Sequence, residues 1–210
     1  MFHILLLLAV SLTITQSSVN VEAISQVYQN DAISISSSPP SNIVICGDSR
    51  VVGLAHVDGL QGSSVSAYGE SGVYFHAKVG QGLDFFRGSY STLLNICNKD
   101  TILYVALGIN DLYNIDDYLV YYNDLKQQLG VGQLIICQVG SVNEALESKY
   151  GYSVKQSDID DFNKKLINTT RNYKVLDIWY DDESLYTVDG LHYTHDEYVS
   201  SLNKVLGGFN

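Results

Sequence analysis

Four short runs rich in β-branched apolar residues recur along this chain, and they constrain its fold more than any other feature. The runs are Asn42–Cys46, Thr101–Leu107, Gln133–Val139 and Tyr173–Trp179. Near-continuous apolar runs of this length are typical of strands that are buried on both faces of a parallel sheet. A weaker run, Ser63–Tyr68, is consistent with one more strand. The sequence therefore predicts five parallel strands.

Amphipathic stretches lie between these runs and predict helices that cover the sheet. Apolar residues at helical spacing extend from Ile115 to Leu129 and stop at Gly130, a residue type that favours helix ends. A capping box at Thr194–Glu197 opens a last helix that ends near Gly207. Two further helical patterns are Leu83–Ile96 and Ser157–Arg171. Strands and helices that alternate in this order predict a three-layer α/β/α sandwich.

The first strand leads into a motif that suits a nucleophile, Gly47-Asp48-Ser49-Arg50. In an open α/β sheet, ligands bind beyond the carboxyl ends of the strands, so chemistry is expected in the segments that follow them. A serine in such a turn can present its hydroxyl to a ligand while backbone N–H groups face the same point. The motif alone is also compatible with a helix N-cap at Ser49. Arg50 can either steer an anionic substrate or form a structural ion pair.

A second polar motif, Gly108-Ile109-Asn110-Asp111, follows the run Thr101–Leu107. An asparagine here can aim its side-chain amide, a neutral donor, at a developing oxyanion. The other interpretation is an Asx-turn or a helix cap.

A third motif, Asp189-Gly190-Leu191-His192, follows the last apolar run after a loop. In a tight turn this spacing allows the carboxylate to hold the imidazole Nδ1–H, which leaves Nε2 free to act as a general base. The alternatives are a plain surface turn or a metal site made by Asp189, His192 and His195. No third firm ligand has suitable spacing, and His195 falls in the first turn of the capped helix, so we predict no metal.

The three motifs together resemble the SGNH, or GDSL, hydrolases, a family of esterases and lipases. Gly-Asp-Ser at 47–49, Gly-x-Asn-Asp at 108–111 and Asp-x-x-His at 189–192 are similar to the family's first, third and fifth blocks. Longer strings such as ICGDSRVVGL and DGLHYT resemble a secreted esterase/lipase-like subgroup. The resemblance implies a flavodoxin-like sandwich and ester hydrolysis through an acyl-serine. Ser49 would be the nucleophile, His192 the general base and Asp189 the group that orients it.

The resemblance also implies an oxyanion hole. Its donors would be the backbone N–H groups of Ser49 and Gly80 and the side-chain amide of Asn110. The glycine-rich segment 77–82 stands in the place of the family's second block, and Gly82 is the alternative to Gly80 within it.

The expected function is that of a serine esterase that needs no cofactor. The expected substrate is a small-molecule or carbohydrate ester with a short acyl group such as acetate. A long-chain lipase is disfavoured because the short chain leaves little room for a lid. Two alternatives remain: a catalytically inactive carbohydrate-binding protein on the same fold, and an acyltransferase or lipase variant. We expect a monomer.

The charge balance excludes one class of partner. The chain has 12 Lys and Arg against 23 Asp and Glu, a formal net charge of −11. A nucleic-acid binder needs a basic surface, so no nucleic acid is expected as a partner.

Cys46 and Cys137 lie in apolar runs, which predicts buried free thiols.

The N-terminus predicts export. Met1–Val10 is apolar but shorter than the roughly 20 residues that span a bilayer, and Val21-Glu22-Ala23 suits signal peptidase. Residues 1–23 are therefore predicted to be a cleaved signal peptide, 24–41 a polar linker, and 42–210 a secreted hydrolase domain without a membrane span. Because no Lys or Arg opens the chain, a buried N-terminal strand or helix is the alternative. The sequon at Asn168 would matter only in a host that glycosylates secreted proteins.

Overall fold

The computed structural model describes residues 42–169, 172–179 and 186–207, which build one six-stranded sheet with helices on both faces. The strands are β1 Ile43–Gly47, β2 Ser64–Tyr68, β3 Tyr74–Lys78, β4 Ile102–Ala106, β5 Gln133–Cys137 and β6 Lys174–Leu176. Their spatial order is β2-β3-β1-β4-β5-β6. All neighbouring pairs are parallel except β2 with β3. The five parallel strands have the flavodoxin-like order, in which the chain moves first to one side of β1 and then to the other.

The three-layer sandwich is confirmed, but the prediction of five strands, all parallel, was wrong in detail. The weak run at 63–68 is an antiparallel edge strand, and the fifth parallel strand is Tyr74–Lys78, which the sequence did not reveal. Five residues, 69–73, join these two strands, too few for the crossover that a parallel pair requires. Asp58 holds the hairpin turn, because its carboxylate accepts hydrogen bonds from the backbone N–H and the hydroxyl of Ser71 at 2.9 and 2.6 Å.

Seven α-helices are found in the described ranges. They are α1 Ser49–Val57, α2 Leu83–Gly88, α3 Tyr90–Ile96, α4 Ile115–Leu129, α5 Glu144–Glu147, α6 Gln156–Thr169 and α7 His195–Gly207. Helix α4 ends as predicted, with Gly130 in the left-handed conformation at φ 64°. The single helix predicted over 83–96 is instead two helices that meet at Ser89. The Ser89 hydroxyl bonds the Phe85 carbonyl and the His76 imidazole, and serine hydroxyls that bond the backbone in this way compete with helix continuation.

The core lies on both faces of the sheet. Alternate strand residues such as Cys46 and Val105 pack against α2, α3, α4 and α6. Their neighbours, such as Ile45, point to the opposite face. There Gly53 of α1 lies so close to the Tyr198 ring of α7 that a Cβ atom would be 2.3 Å from it. The central strands β1, β4 and β5 are therefore covered on both faces, and a ligand can approach them only at their ends.

The predicted signal peptide, 1–23, and linker, 24–41, lie outside the described residues. Cys46 and Cys137 are free and buried, as predicted, and Cys97 is also free. In the three described ranges, no helix combines the length and the apolar character needed to cross a membrane.

Candidate active site

The predicted site residues gather at the carboxyl ends of the central strands. Ser49 follows β1 after a one-residue turn, and Asn110 follows the adjacent strand β4. Successive connections leave the sheet in opposite directions around β1, which opens a crevice there. The turn at 189–192 lies at the same place, because the His192 imidazole bonds the Ser49 hydroxyl.

Three side chains form a continuous hydrogen-bonded chain. His192 Nε2 is 2.9 Å from Ser49 Oγ, and His192 Nδ1 is 2.7 Å from Asp189 Oδ2. Ser49, His192 and Asp189 are 6, 7 and 8 % exposed. This low exposure keeps bulk water from competing with the two bonds, so the geometry suits proton transfer from the hydroxyl to the imidazole.

The other oxygen of Asp189 fixes the turn itself. Asp189 Oδ1 accepts hydrogen bonds from the backbone N–H groups of Leu191 and His192 at 2.9 and 2.7 Å. Burial alone would raise the pKa of Asp189. The hydrogen bond and charge interaction with His192, together with the two backbone N–H groups, outweigh burial and keep the pKa below its ordinary value. The carboxylate is thus ionised and suited to stabilise an imidazolium.

Glycine is required inside this turn. Gly190 has φ 91°, and a Cβ atom there would lie 2.2 Å from the Glu147 backbone nitrogen. The Asn143 N–H also donates to the Gly190 carbonyl at 2.8 Å. The segment after β5 therefore packs directly on the turn that carries Asp189 and His192.

The predicted oxyanion donors lie in the segments that follow β1, β3 and β4. The Asn110 amide donates one hydrogen bond, to the Gln81 carbonyl at 2.8 Å, which ties the loop after β4 to the loop after β3. An amide NH₂ has two donors, so one N–H remains. The backbone N–H groups of Ser49 and Gly80 have no acceptor within the ranges that the structure describes.

Gly82, the alternative donor, has a packing reason to be glycine. A Cβ atom at Gly82 would lie 2.3 Å from Asp111 Oδ2. Asp111 accepts hydrogen bonds from the Leu83 N–H and the Tyr118 hydroxyl at 2.9 and 2.7 Å. The carboxylate after Asn110 therefore joins α2 and α4 around this loop, and Gly80 remains the predicted donor.

One residue contacts the site that the sequence did not place there. The Tyr152 ring meets the His192 imidazole edge-on, with ring centroids 6.2 Å apart. Burial, and then the negative charge of Asp189, raise the pKa of the Tyr152 hydroxyl. A tyrosine in a loop of polar residues carries no sequence signal for such a role. Arg50, which the sequence placed beside Ser49, is 2 % exposed, so it cannot steer a substrate from the surface.

Asp48 is a buried acid beside this site, and it makes stability depend on pH. Its Oδ1 accepts the Arg50 backbone N–H at 3.0 Å. Burial raises the pKa of Asp48 to about 6, from an ordinary value of 3.8, although the backbone N–H and the charge of Arg50 act to lower it. Between these two pH values the folded state keeps a proton that the unfolded state has released. The free energy of unfolding should therefore fall as pH rises through this range.

Asp48→Asn tests this linkage, because asparagine keeps the oxygen that accepts the Arg50 N–H but cannot ionise. We expect the variant to gain stability relative to the wild-type protein between about pH 4 and pH 6, by roughly 2 kcal/mol. Urea unfolding of both proteins across this pH range measures the difference. A difference that stays constant with pH would contradict the assignment.

Comparison with known proteins supports the fold assignment by structure alone. No protein-family model and no curated protein sequence matches the chain. A GDSL-like lipase from Bacteroides thetaiotaomicron has 13 % identity and a TM-score of 0.57, with 90 % of this chain and 97 % of that chain covered. The lipase/acylhydrolase from Enterococcus faecalis has 14 % identity and a TM-score of 0.52, with 79 and 95 % covered.

A third solved structure is similar to this chain over a comparable length and at comparable identity. It is a member of the lipolytic protein G-D-S-L family from Veillonella parvula, with 15 % identity, a TM-score of 0.50, and 80 and 97 % of the two chains covered. All three similarities extend over nearly the whole of the other protein, and the strand order around β1 agrees with the flavodoxin-like topology that the motifs implied. The fold of this chain is that of the SGNH/GDSL hydrolases.

Proposed function

We propose that this protein is a serine esterase that cleaves carboxylic esters through an acyl-serine intermediate. The observation that carries the proposal is the continuous chain of hydrogen bonds from Asp189 through His192 to Ser49, at 2.7 and 2.9 Å. A serine, a histidine and a carboxylate in this arrangement are the parts that nucleophilic acyl transfer requires. Solved structures with the same fold carry the names lipase and acylhydrolase, which agrees with the proposal.

The reaction proceeds in two halves. Ser49 Oγ attacks the ester carbonyl carbon as its proton passes to His192 Nε2, and the carbonyl oxygen becomes an oxyanion held by the N–H donors of Ser49, Gly80 and Asn110. The tetrahedral intermediate collapses, the bond to the alcohol oxygen breaks, and His192 returns the proton to that oxygen. Water then attacks the acyl carbon as its proton passes to His192, the bond to Ser49 Oγ breaks, and His192 returns the proton to that oxygen as the acid leaves.

Labelling and hydrolysis together test this proposal. We expect a fluorophosphonate probe to label Ser49 and p-nitrophenyl acetate to be hydrolysed by the same preparation. Well-folded protein that neither reacts with the probe nor hydrolyses any ester would refute the enzyme and favour a binding protein on the same fold. Incubation with an acetylated donor and a free sugar, followed by product analysis, separates hydrolysis from acyl transfer.

The substrate we propose is an ester of a short acyl group, such as acetate, with a hydroxyl-rich alcohol such as a carbohydrate. A cleft of about 660 Å³ is lined by Asn110 and by Ser153 and Val154, which follow the Tyr152 that contacts His192. Asp158 and Asp161 line the cleft, and carboxylates accept hydrogen bonds from sugar hydroxyls but disfavour a long apolar chain. A second cleft of about 780 Å³ contains no histidine or acid and lies at the opposite end of β5 and β6.

The charge of this cleft makes a prediction about the alcohol part of the substrate. Its lysine, Lys165, is paired with Asp116 at 3.2 Å, which leaves the carboxylates of Asp111, Asp158 and Asp161 to set the local charge. We therefore expect kcat/KM to be higher for acetylcholine than for its uncharged isostere, 3,3-dimethylbutyl acetate. Asp158→Asn and Asp161→Asn should each lower kcat/KM for acetylcholine relative to kcat/KM for 3,3-dimethylbutyl acetate, by about two- to fivefold at low salt.

Asp124→Asn is the matched control, because it removes the same charge from an exposed position on α4 that does not line the cleft. An equal ratio in all three variants and the wild-type protein would contradict the placement of the alcohol part in this cleft.

We also propose that the protein acts outside the cell as a monomer. The apolar N-terminal run and the Val21-Glu22-Ala23 pattern support export. Mass spectrometry of protein recovered from culture medium tests it, with Ile24 as the expected first residue. Light scattering tests the monomer.

A further inference from the structure

The side chain of Arg50 is buried directly behind the proposed nucleophile. It is 2 % exposed, and its guanidinium donates to three main-chain carbonyls: Gly140 at 2.6 Å, Ser141 at 2.9 Å and Leu191 at 3.1 Å. No carboxylate in the described part of the chain forms an ion pair with it. The sequence-based expectation of an ion pair was therefore wrong, and Arg50 joins loops instead.

The guanidinium contacts both sequence neighbours of His192. It bonds the carbonyl of Leu191, the residue before, and its Cζ lies 4.8 Å above the ring of Tyr193, the residue after. The Tyr193 hydroxyl donates to the Ser141 carbonyl at 3.1 Å, so the ring and the guanidinium share an acceptor. A single side chain, attached one residue after Ser49, thus holds both sides of His192.

We propose, on the basis of the esterase function proposed above, that Arg50 is a positioning residue that sets the reach between Ser49 and His192. These two side chains are 143 residues apart in sequence and share only one hydrogen bond, at 2.9 Å. The bridge from Arg50 to Leu191 joins the residues next to them through a rigid, planar group. It restrains the Ser49–His192 distance while the proton moves and the direct bond is broken. Arg50 does not itself touch the substrate.

Lysine cannot reproduce this bridge. An ammonium group is a compact charge on a flexible stem, whereas the guanidinium directs several N–H donors in one plane. In Arg50→Lys some of the three carbonyls lose their donor, and the turn before His192 is freed to shift. Misplacement of catalytic groups by about 1 Å can lower a rate by 10²-fold. We expect kcat for p-nitrophenyl acetate to fall by about 10- to 100-fold, and KM to change by less than about twofold.

The matched control is Arg87→Lys. Arg87 is half exposed and pairs with Asp84 and Asp117 at 3.8 Å, so the same substitution there should leave kcat unchanged. A second variant, Tyr193→Leu, keeps the Arg50 donors but removes the ring beneath them, and we expect a smaller fall in kcat of about three- to tenfold. Circular dichroism and thermal unfolding establish the folded fraction of each variant.

The NMR signal of the His192 Nδ1–H proton supplies a readout that does not depend on activity. We expect the wild-type protein to give one resolved Nδ1–H signal. In Arg50→Lys we expect this signal to be shifted or broadened. If the wild-type protein hydrolyses no ester, the proposed function fails, yet the NMR comparison still tests Arg50. Folded Arg50→Lys and Tyr193→Leu variants that keep kcat within about twofold and leave the signal unchanged would overturn the proposal. A loss of activity that only follows the unfolded fraction would overturn it as well.

Discussion

Ser49→Ala is expected to lower kcat for p-nitrophenyl acetate by at least about 10⁴-fold. The reason is that the proposed mechanism forms the acyl bond at Ser49 Oγ, whose hydroxyl lies 2.9 Å from His192 Nε2, the atom proposed to deprotonate it. Alanine keeps the Cβ atom at the first position of α1 and loses one hydrogen bond. The free energy of unfolding should therefore change by only about 1 kcal/mol. Steady-state kinetics and thermal unfolding measure the two effects separately.

Ser71→Ala is the control for this experiment. Ser71 is also buried, at 2 % exposure, and its hydroxyl bonds a carboxylate, that of Asp58, at 2.6 Å. It lies in the turn between β2 and β3, so its loss should lower stability and leave kcat of the folded protein unchanged. If Ser49→Ala kept more than about 1 % of the wild-type kcat, Ser49 would not be the nucleophile.

Asn110→Ala is expected to lower kcat by about 10²- to 10³-fold, with a much smaller change in KM. The side-chain amide has one N–H bonded to the Gln81 carbonyl at 2.8 Å, which orients the second N–H without using it. A preorganised donor of this kind acts on the charge that develops in the transition state, so its removal affects turnover more than binding.

Asn110→Ala also removes the hydrogen bond to the Gln81 carbonyl, a structural effect that is separate from the loss of the oxyanion donor. Asn172→Ala removes a comparable bond, from a side-chain amide to the Asn123 carbonyl at 3.3 Å, beside the cleft at the opposite end of β5 and β6 from the site. It should leave kcat unchanged. Parallel losses of kcat and stability in Asn110→Ala, with KM raised by the same factor, would assign Asn110 to loop structure instead.

Much of the local structure was determined by the sequence itself. The apolar runs predicted β1, β4 and β5 because a strand buried on both faces must be apolar nearly throughout. Gly130 and the capping box at 194–197 predicted helix ends because backbone groups left without partners at these ends require particular residues. The order of the runs and motifs also predicted that Ser49, Asn110 and the 189–192 turn follow strands, because ligands bind beyond the carboxyl ends of the strands in an open α/β sheet.

The tertiary structure decided everything that depends on which segments meet. The β2–β3 hairpin has no continuous apolar run, because only alternate residues such as Val65, Phe75 and Ala77 reach the core, and Asp58 holds its turn from 13 residues before Ser71. Arg50 was ambiguous because a guanidinium accepts carboxylates and carbonyls as partners alike, and only folding brings Gly140, Ser141 and Leu191 to it. Tyr152 beside His192 has no sequence signature. Local patterns report on backbone conformation and burial, whereas the partners of a buried polar group come from distant parts of the chain and are set only when the layers pack.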